Sequence, residues 1–225
     1  MTMRGTYSPM AAGCLATLLA MAAMAAATGS DEVQRARAAR PDVAHGARLY
    51  VGCVACHGTD GAGEPNGTVP RIAGQHATVL IKELGDFRQR RRWDLRMEQV
   101  AGGHRLEGPQ DLADVAAYIA GLDLAVPPAS GDGTYLQRGA SAYVRLCAGC
   151  HGASGQGDAA TAVPRLAGQH AAYLLRQMQE SATNGRPNMA ASHVAVLRQL
   201  SYEDFAGAAD YLSRMQPRRA APAAE

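Results

Sequence analysis

The chain is one unit written twice. Val69-Pro70-Arg71-Ile72-Ala73-Gly74-Gln75-His76 returns 94 residues later as Val163-Pro164-Arg165-Leu166-Ala167-Gly168-Gln169-His170. Cys53-Val54-Ala55-Cys56-His57-Gly58 returns with the same offset as Cys147-Ala148-Gly149-Cys150-His151-Gly152, so the distance between the two motifs is also kept. A duplication of this kind predicts two similar small domains rather than one large fold. A unit of about 90 residues needs something beyond its own side chains to complete a core. The sequence offers little for that purpose: it has two Phe and one Trp in 225 residues, and alanine inflates the 47% hydrophobic content.

Other segments frame the two copies. Residues 1–27 carry one charge, Arg4, then an Ala/Leu/Met-rich run ending in Ala25-Ala26-Ala27, the pattern of an exported signal peptide cleaved near Ala27. A retained anchor is the competing reading, but the run has little beyond alanine to drive insertion. A lipoprotein signal around Cys14 fits poorly, because the apolar stretch follows the cysteine. The expected domains are 31–124 and 134–216. The Pro/Gly/Ser-rich segment 125–133 reads as a linker, and the Pro/Ala/Arg-rich 217–225 as a disordered tail. The formal charge of +2, from 22 basic and 20 acidic residues, argues against a nucleic-acid partner. The mature chain is expected to be soluble and periplasmic, and peripheral association with a membrane surface is left open.

Hydrophobic periodicity predicts helices throughout. Val43, Ala47 and Tyr50 lead into the first cysteine pair, and Leu136, Ala140, Tyr143 and Cys147 into the second. After each Gly-Gln-His come the stripes Ala77, Leu80, Ile81, Leu84 and Ala171, Leu174, Leu175, Met178. The last stripes are Leu112, Val115, Ala116, Ile119, Leu122 and Phe205, Ala208, Ala209, Leu212, Met215. Pro109 suits the first turn of one of these helices and Ser201 the N-cap of the other. No alternating strand pattern of useful length is present, so both domains are expected to be all-α.

The chemistry lies in the two Cys-x-x-Cys-His motifs. A histidine directly after each pair points to covalent haem: Cys53 and Cys56, like Cys147 and Cys150, would bond the vinyl groups of one porphyrin, and His57 or His151 would bind its iron. A zinc ribbon would need its pairs closer than 94 residues, and a thioredoxin-like dithiol would need a βαβ context. Two haems would also supply the missing apolar bulk.

A second axial ligand on each iron separates an electron carrier from a catalyst. Met97 is the one methionine between His57 and the linker; Met178, Met189 and Met215 compete in the second half. Met178 and Met215 lie on apolar stripes, which leaves Met189, after the loop-like Asn184-Gly185-Arg186-Pro187-Asn188, as the expected ligand. His76 and His170, kept in both copies, are the competing ligands and would give lower-potential haems, but each opens a helix, where a capping or surface role is common. His45, His104 and His193 read as exposed, with His104 and His193 kept as minor ligand candidates. The carbonyls of Pro70 and Pro164 are expected to accept the proton on the free nitrogen of each haem histidine, against a plain turn role. Arg71 and Arg165 are candidates to pair with haem propionates, with simple exposure as the competing role. Arg88, Arg90, Arg91, Arg92 and Arg96 form a basic patch that either steers an acidic partner or is a solvated charge run.

With its paired CxxCH motifs, its repeated P-R-[IL]-A-G-Q-H and the Leu-rich helices that follow, the chain resembles the dihaem cytochrome c4 family over essentially its whole mature length. The resemblance implies two tandem class I cytochrome c domains related by a pseudo-twofold axis, with propionates close together at the interface. It implies His/Met irons with Met97 and Met189, a cytochrome bc1-type donor and a terminal oxidase acceptor. The Arg90–Met97 region departs from the family's Asn/Pro-containing ligand loop, which Asn184–Met189 resembles better. The expected function is therefore a carrier of single electrons and not an enzyme. The alternatives are the cytochrome subunit of a flavocytochrome or sulfur dehydrogenase, and a dihaem peroxidase-type enzyme.

Overall fold

A computed structural model of the chain describes residues 31–102, 104–123 and 126–216. The expected signal peptide, Cys14, Ala125 of the linker and the expected tail lie outside the described residues. The described chain is helical, and its one β-type pairing is an isolated bridge between Asp158 and Val163.

The first half contains α1 (31–38), α2 (Val43–Tyr50), α3 (Val54–His57), α4 (Ala77–Arg88), α5 (Leu95–Ala101) and α6 (Pro109–Gly121). The second repeats all but the first: α7 (Leu136–Ala142), α8 (Ala148–His151), α9 (Ala171–Ala182), α10 (Ala191–Leu197) and α11 (Tyr202–Arg214). Helix α1 has no counterpart among the described residues of the second half. It buries Val33 and Ala36 in the first core and ties to α4 through Glu32 and Arg88, 3.2 Å apart.

Local chemistry sets the boundaries. Asp42 caps α2 by accepting from His45 N at 3.0 Å, and Asp94 caps α5 by accepting from Arg96 N and Met97 N. Pro109 opens α6, where its missing N–H costs nothing, and Ser201 and Asp204 form a reciprocal capping box on α11. The stripes on α6 and α11 face inward: Leu112, Val115, Ala116 and Ile119 in one copy, and Phe205, Ala208, Ala209 and Leu212 in the other, are buried.

In each half the first long helix crosses the last, α2 on α6 and α7 on α11. Glycine sets the distance of approach. A Cβ at Gly46 would lie 2.1 Å from Asp114 O, and one at Gly139 would lie 1.8 Å from the Gly207 carbonyl carbon. Helices α4 and α9 pack on those last helices, and α5 and α10 lean on α4 and α9.

The approach to each cysteine pair differs from the expected continuous helix. Val43 is 52% exposed, so Gly46 and Tyr50 form the buried side of α2. Ahead of the second pair, Tyr143–Cys147 is a π-helical turn, which shifts the facing by one residue and leaves Ala142 and Tyr143 buried. The cysteine pairs therefore start short helices of their own.

Candidate functional site

Each CxxCH histidine is the last residue of a single helical turn, α3 or α8, and is buried. His57 Nδ1 lies 3.0 Å from Pro70 O, and His151 Nδ1 lies 3.0 Å from Pro164 O. A carbonyl only accepts, so Nδ1 is the donor in both rings and Nε2 keeps its lone pair for a metal. Burial pushes both histidines below their ordinary pKa, keeping them in the neutral form that a metal requires. Two glycines missed in the sequence make this contact possible. Gly63 (φ 71°) and Gly157 (φ 70°) run past the proline carbonyls so closely that a Cβ would lie 2.4 Å from Pro70 O or Val163 O.

The four cysteines of the motifs are unpaired thiols, with Cys53 and Cys147 half-buried against the two cores and Cys56 and Cys150 exposed. Burial pushes the Cys53 thiol up to about 11 and raises Cys147 as well, the opposite of the activated thiolate of a redox dithiol. Among the described residues the convergent His/Cys/Asp/Glu group is His45, Asp111 and Asp114, which includes no residue of either motif.

Arg71 and Arg165 line one cleft together with Ala73, Gln75, Ala167 and Gln169. Their backbones are clamped reciprocally. Gln169 accepts from Arg71 N at 2.9 Å and donates to Arg71 O at 2.7 Å, while Gln75 accepts from Arg165 N at 3.0 Å and donates to Arg165 O at 2.9 Å. Arg71 also donates through Nη2 to Val126 O. The Nε atoms of both arginines are buried without a partner, and burial lowers the pKa of both side chains. The orphaned Nε donors of the two arginines, with two free thiols and a neutral imidazole in each half, fit a haem, whose propionates would meet the guanidinium groups.

The remaining histidines separate cleanly. His170 is committed on both nitrogens, accepting from Ala129 N at 3.1 Å and donating to Ala62 O at 2.7 Å, and His76 Nε2 lies 2.8 Å from Gln156 O. These bonds tie the two halves together and leave His170 without a free ring nitrogen for iron. His104 is exposed, but His45 is half-buried and lies 2.8 Å from Asp114, correcting its reading as a solvent-facing residue. His193 is also corrected: it is half-buried, its ring centroid is 6.1 Å from that of His151, and its Nδ1 is buried without a partner. Desolvation, then the neighbouring His151 and Arg186, depress its pKa.

Met97 is half-buried on α5, next to Arg96, whose charge reaches His57. Met189 is half-buried just before α10, at the end of a loop whose polar side chains turn toward the first domain. Asn188 donates to Asp86 at 2.8 Å and to Glu83 at 3.1 Å, and Arg186 pairs with Glu83 at 3.0 Å.

Every arginine of the basic patch is ion-paired; Arg88 and Arg92 are half-buried, while Arg90, Arg91 and Arg96 remain exposed. Arg92 pairs with Glu83 at 2.7 Å and reaches Tyr173 and Gln177 of the other half at 2.7 and 2.9 Å. Arg91 pairs with Asp86, Arg90 with Glu98, Arg96 with Asp94 and Arg88 with Glu32. Burial would raise the pKa of Glu83, but Arg186, Arg92 and Lys82 outweigh it and hold the carboxylate well below its ordinary range.

Comparison with known proteins adds to this geometry. The family described as Cytochrome c matches twice in tandem, over residues 43–123 and 136–216. Cytochrome c4 of Pseudomonas aeruginosa is 33% identical over 179 residues, covering 76% of this chain and 87% of that protein. The crystal structure of reduced recombinant cytochrome c4 from Pseudomonas stutzeri superposes with a TM-score of 0.68 at 28% identity, covering 79% of this chain and all of that one. The thiosulfate dehydrogenase electron acceptor of Stutzerimonas stutzeri is 30% identical over 222 residues, covering 95% of this chain and 97% of that protein.

Proposed function

The chain belongs to the cytochrome c family, as a dihaem cytochrome c4 with one covalent c-type haem in each half, and from that premise we propose that it is a periplasmic carrier in a respiratory chain. It takes single electrons from a cytochrome bc1-type donor and passes them toward a terminal oxidase. Each haem supplies a one-electron ferric–ferrous couple, and the chain's own residues fix where the two couples sit and how they are tuned.

The observation that carries this reading is the pair of equivalent histidine–proline carbonyl sites joined by the reciprocal Gln75 and Gln169 clamps. Two centres held in fixed register suit a relay, because rigid spacing keeps the electron path constant through each cycle. In this reading Pro70 and Pro164 orient the proximal imidazoles, and Arg71 and Arg165 neutralise propionates in the cleft between the domains. His57 and Met97 are the axial pair of the first haem.

A second reading is supported by the relative that acts as electron acceptor of a thiosulfate dehydrogenase, since its match extends over 95% of this chain. Here the donor is a sulfur-oxidising dehydrogenase instead of a quinol-oxidising complex. Stopped-flow reduction of the oxidised protein separates the two. Rapid reduction by a bc1-type complex with quinol, followed by reoxidation with a terminal oxidase, supports the respiratory route. Reduction by thiosulfate dehydrogenase with thiosulfate, and none by the bc1-type complex, overturns it in favour of the second reading.

A further inference from the structure

The two halves do not place the same residue at the third position of the short helix that precedes the last one. Helices α5 and α10 are equivalent seven-residue segments, Leu-Arg-Met-Glu-Gln-Val-Ala and Ala-Ser-His-Val-Ala-Val-Leu, each leaning on the helix that follows Gly-Gln-His. Each buries its last residue, Ala101 or Leu197. The third residue lies one turn earlier on the same face; it is Met97 in the first helix and His193 in the second. Met189 has no place in this correspondence, because it precedes α10 in the loop whose Arg186 and Asn188 are engaged with Glu83 and Asp86 of the first domain.

The rings of His151 and His193 face one another with centroids 6.1 Å apart and planes at 64°. A metal–imidazole bond is about 2.0–2.1 Å. Adding about 1.1 Å from nitrogen to ring centre on each side puts two imidazoles on opposite faces of one iron roughly 6.3 Å apart, centre to centre. The observed separation matches that span. The buried His193 Nδ1 without a partner is a second, independent observation, since a buried imidazole nitrogen ordinarily finds one.

We propose that His193, in place of Met189, is the sixth ligand of the second haem, so that the chain pairs a His/Met centre with a His/His centre. Histidine lacks the soft thioether that favours ferrous iron, so the second haem has the lower potential of the two. One electron arriving at the second domain then passes downhill to the His57/Met97 haem, which holds it until an acceptor docks. The inference rests on the presence of two haems and not on the identity of donor or acceptor.

The test uses the intact dihaem protein. The far-red charge-transfer band of a ferric iron–methionine bond is quantified per haem, and the strongly shifted methyl resonances of ligating methionine are counted in the ferrous protein. One methionine-ligated iron per two haems is expected, lost in Met97→Leu and unchanged in Met189→Leu. His193→Met should add a second band and raise the lower midpoint potential, and His193→Ala should open the second iron to carbon monoxide. Two methionine-ligated irons in the wild type, or loss of half the band in Met189→Leu, would overturn the proposal. If the His193 variants do not fold, the wild-type count and Met189→Leu still decide. Either result leaves the carrier reading standing, since both ligand sets cycle one electron, and that reading is tested by the partner rates instead.

Discussion

Gln169 holds the backbone of Arg71 at both ends, accepting from its N–H at 2.9 Å and donating to its carbonyl at 2.7 Å from the opposite domain. Both residues are buried, so removing the amide leaves a donor and an acceptor without water to replace it. Gln169→Ala is expected to cost about 2–3 kcal/mol, because each orphaned buried polar group costs roughly 1–3 kcal/mol. The half-buried Gln75 should show a smaller loss in Gln75→Ala. Denaturant unfolding of the holoprotein measures both, and flash-triggered electron exchange between the haems should slow in Gln169→Ala as the spacing loosens. A stability change below about 0.5 kcal/mol would show that the clamp is solvated and holds nothing.

Glu83 is the acidic hub of the domain contact, with Arg92 at 2.7 Å, Arg186 at 3.0 Å and Asn188 at 3.1 Å. Burial works against its ionised form, yet the surrounding cations depress its folded pKa below the ordinary value of 4.5. A depressed carboxylate stabilises the fold fully above its unfolded pKa, and that contribution falls away as pH drops through the range between the two values. Stability should therefore decline below about pH 4.5. Glu83→Gln should flatten that decline and cost about 3 kcal/mol at neutral pH, since it leaves Arg92 and Arg186 without their shared counter-charge. Equal acid sensitivity in wild type and variant would place the titration elsewhere.

The parts of this molecule that could be read from the sequence are those where one residue's chemistry is sufficient. CxxCH carries its own spacing, and the stripe from Leu112 to Ile119 carries its own period, so the helices and haem motifs needed no tertiary information. The axial ligand was different, because it depends on which side chain a short helix turns toward a distant histidine. Met97 lies 40 residues after His57; Met189 and His193 lie 38 and 42 after His151, so chain distance does not choose between them. The α9–α10 connection is two residues longer than its counterpart, so the residue of α10 that occupies the place of Met97 on α5 is His193 and not Ala191, 94 residues on. The pairing of the arginines near Trp93 was hidden for a related reason. Charge is visible in sequence, but the carboxylates that neutralise Arg92 and Arg91 sit on the preceding helix, at Glu83 and Asp86.

Gly139 sits where α7 crosses α11, with Gly207 opposite it. A methyl there would meet backbone at 1.8 Å, and backbone cannot rotate aside as a flexible side chain can. Gly139→Ala must push the helices apart and is expected to cost at least the upper part of the roughly 1–3 kcal/mol range for overpacking. Gly121→Ala is the control, because nothing lies near its would-be Cβ and it lies outside both CxxCH motifs. A thermal midpoint for Gly139→Ala within error of that control would mean that α7 and α11 do not cross in close backbone contact.

Asp210 ties the connection between the domains to α11. Its carboxylate accepts from Gly131 N at 2.9 Å and Gly133 N at 2.8 Å while pairing with Arg214 at 2.7 Å. The same connection is fixed upstream by Ala129, which donates to His170 and accepts from Ala171 N at 2.9 Å. The Pro/Gly/Ser composition that reads as a flexible linker is thus pinned at several backbone groups. Asp210→Ala frees two of those amides and, with hydrogen bonds to a charged group worth about 1.5–3 kcal/mol each, should release the segment without unfolding either domain. Limited proteolysis with a protease of broad specificity is expected to cut near residues 130–134 much faster in the variant, with helical circular dichroism and both haem spectra unchanged. Equal cutting rates would show that the Ala129 contacts alone hold the connection in place.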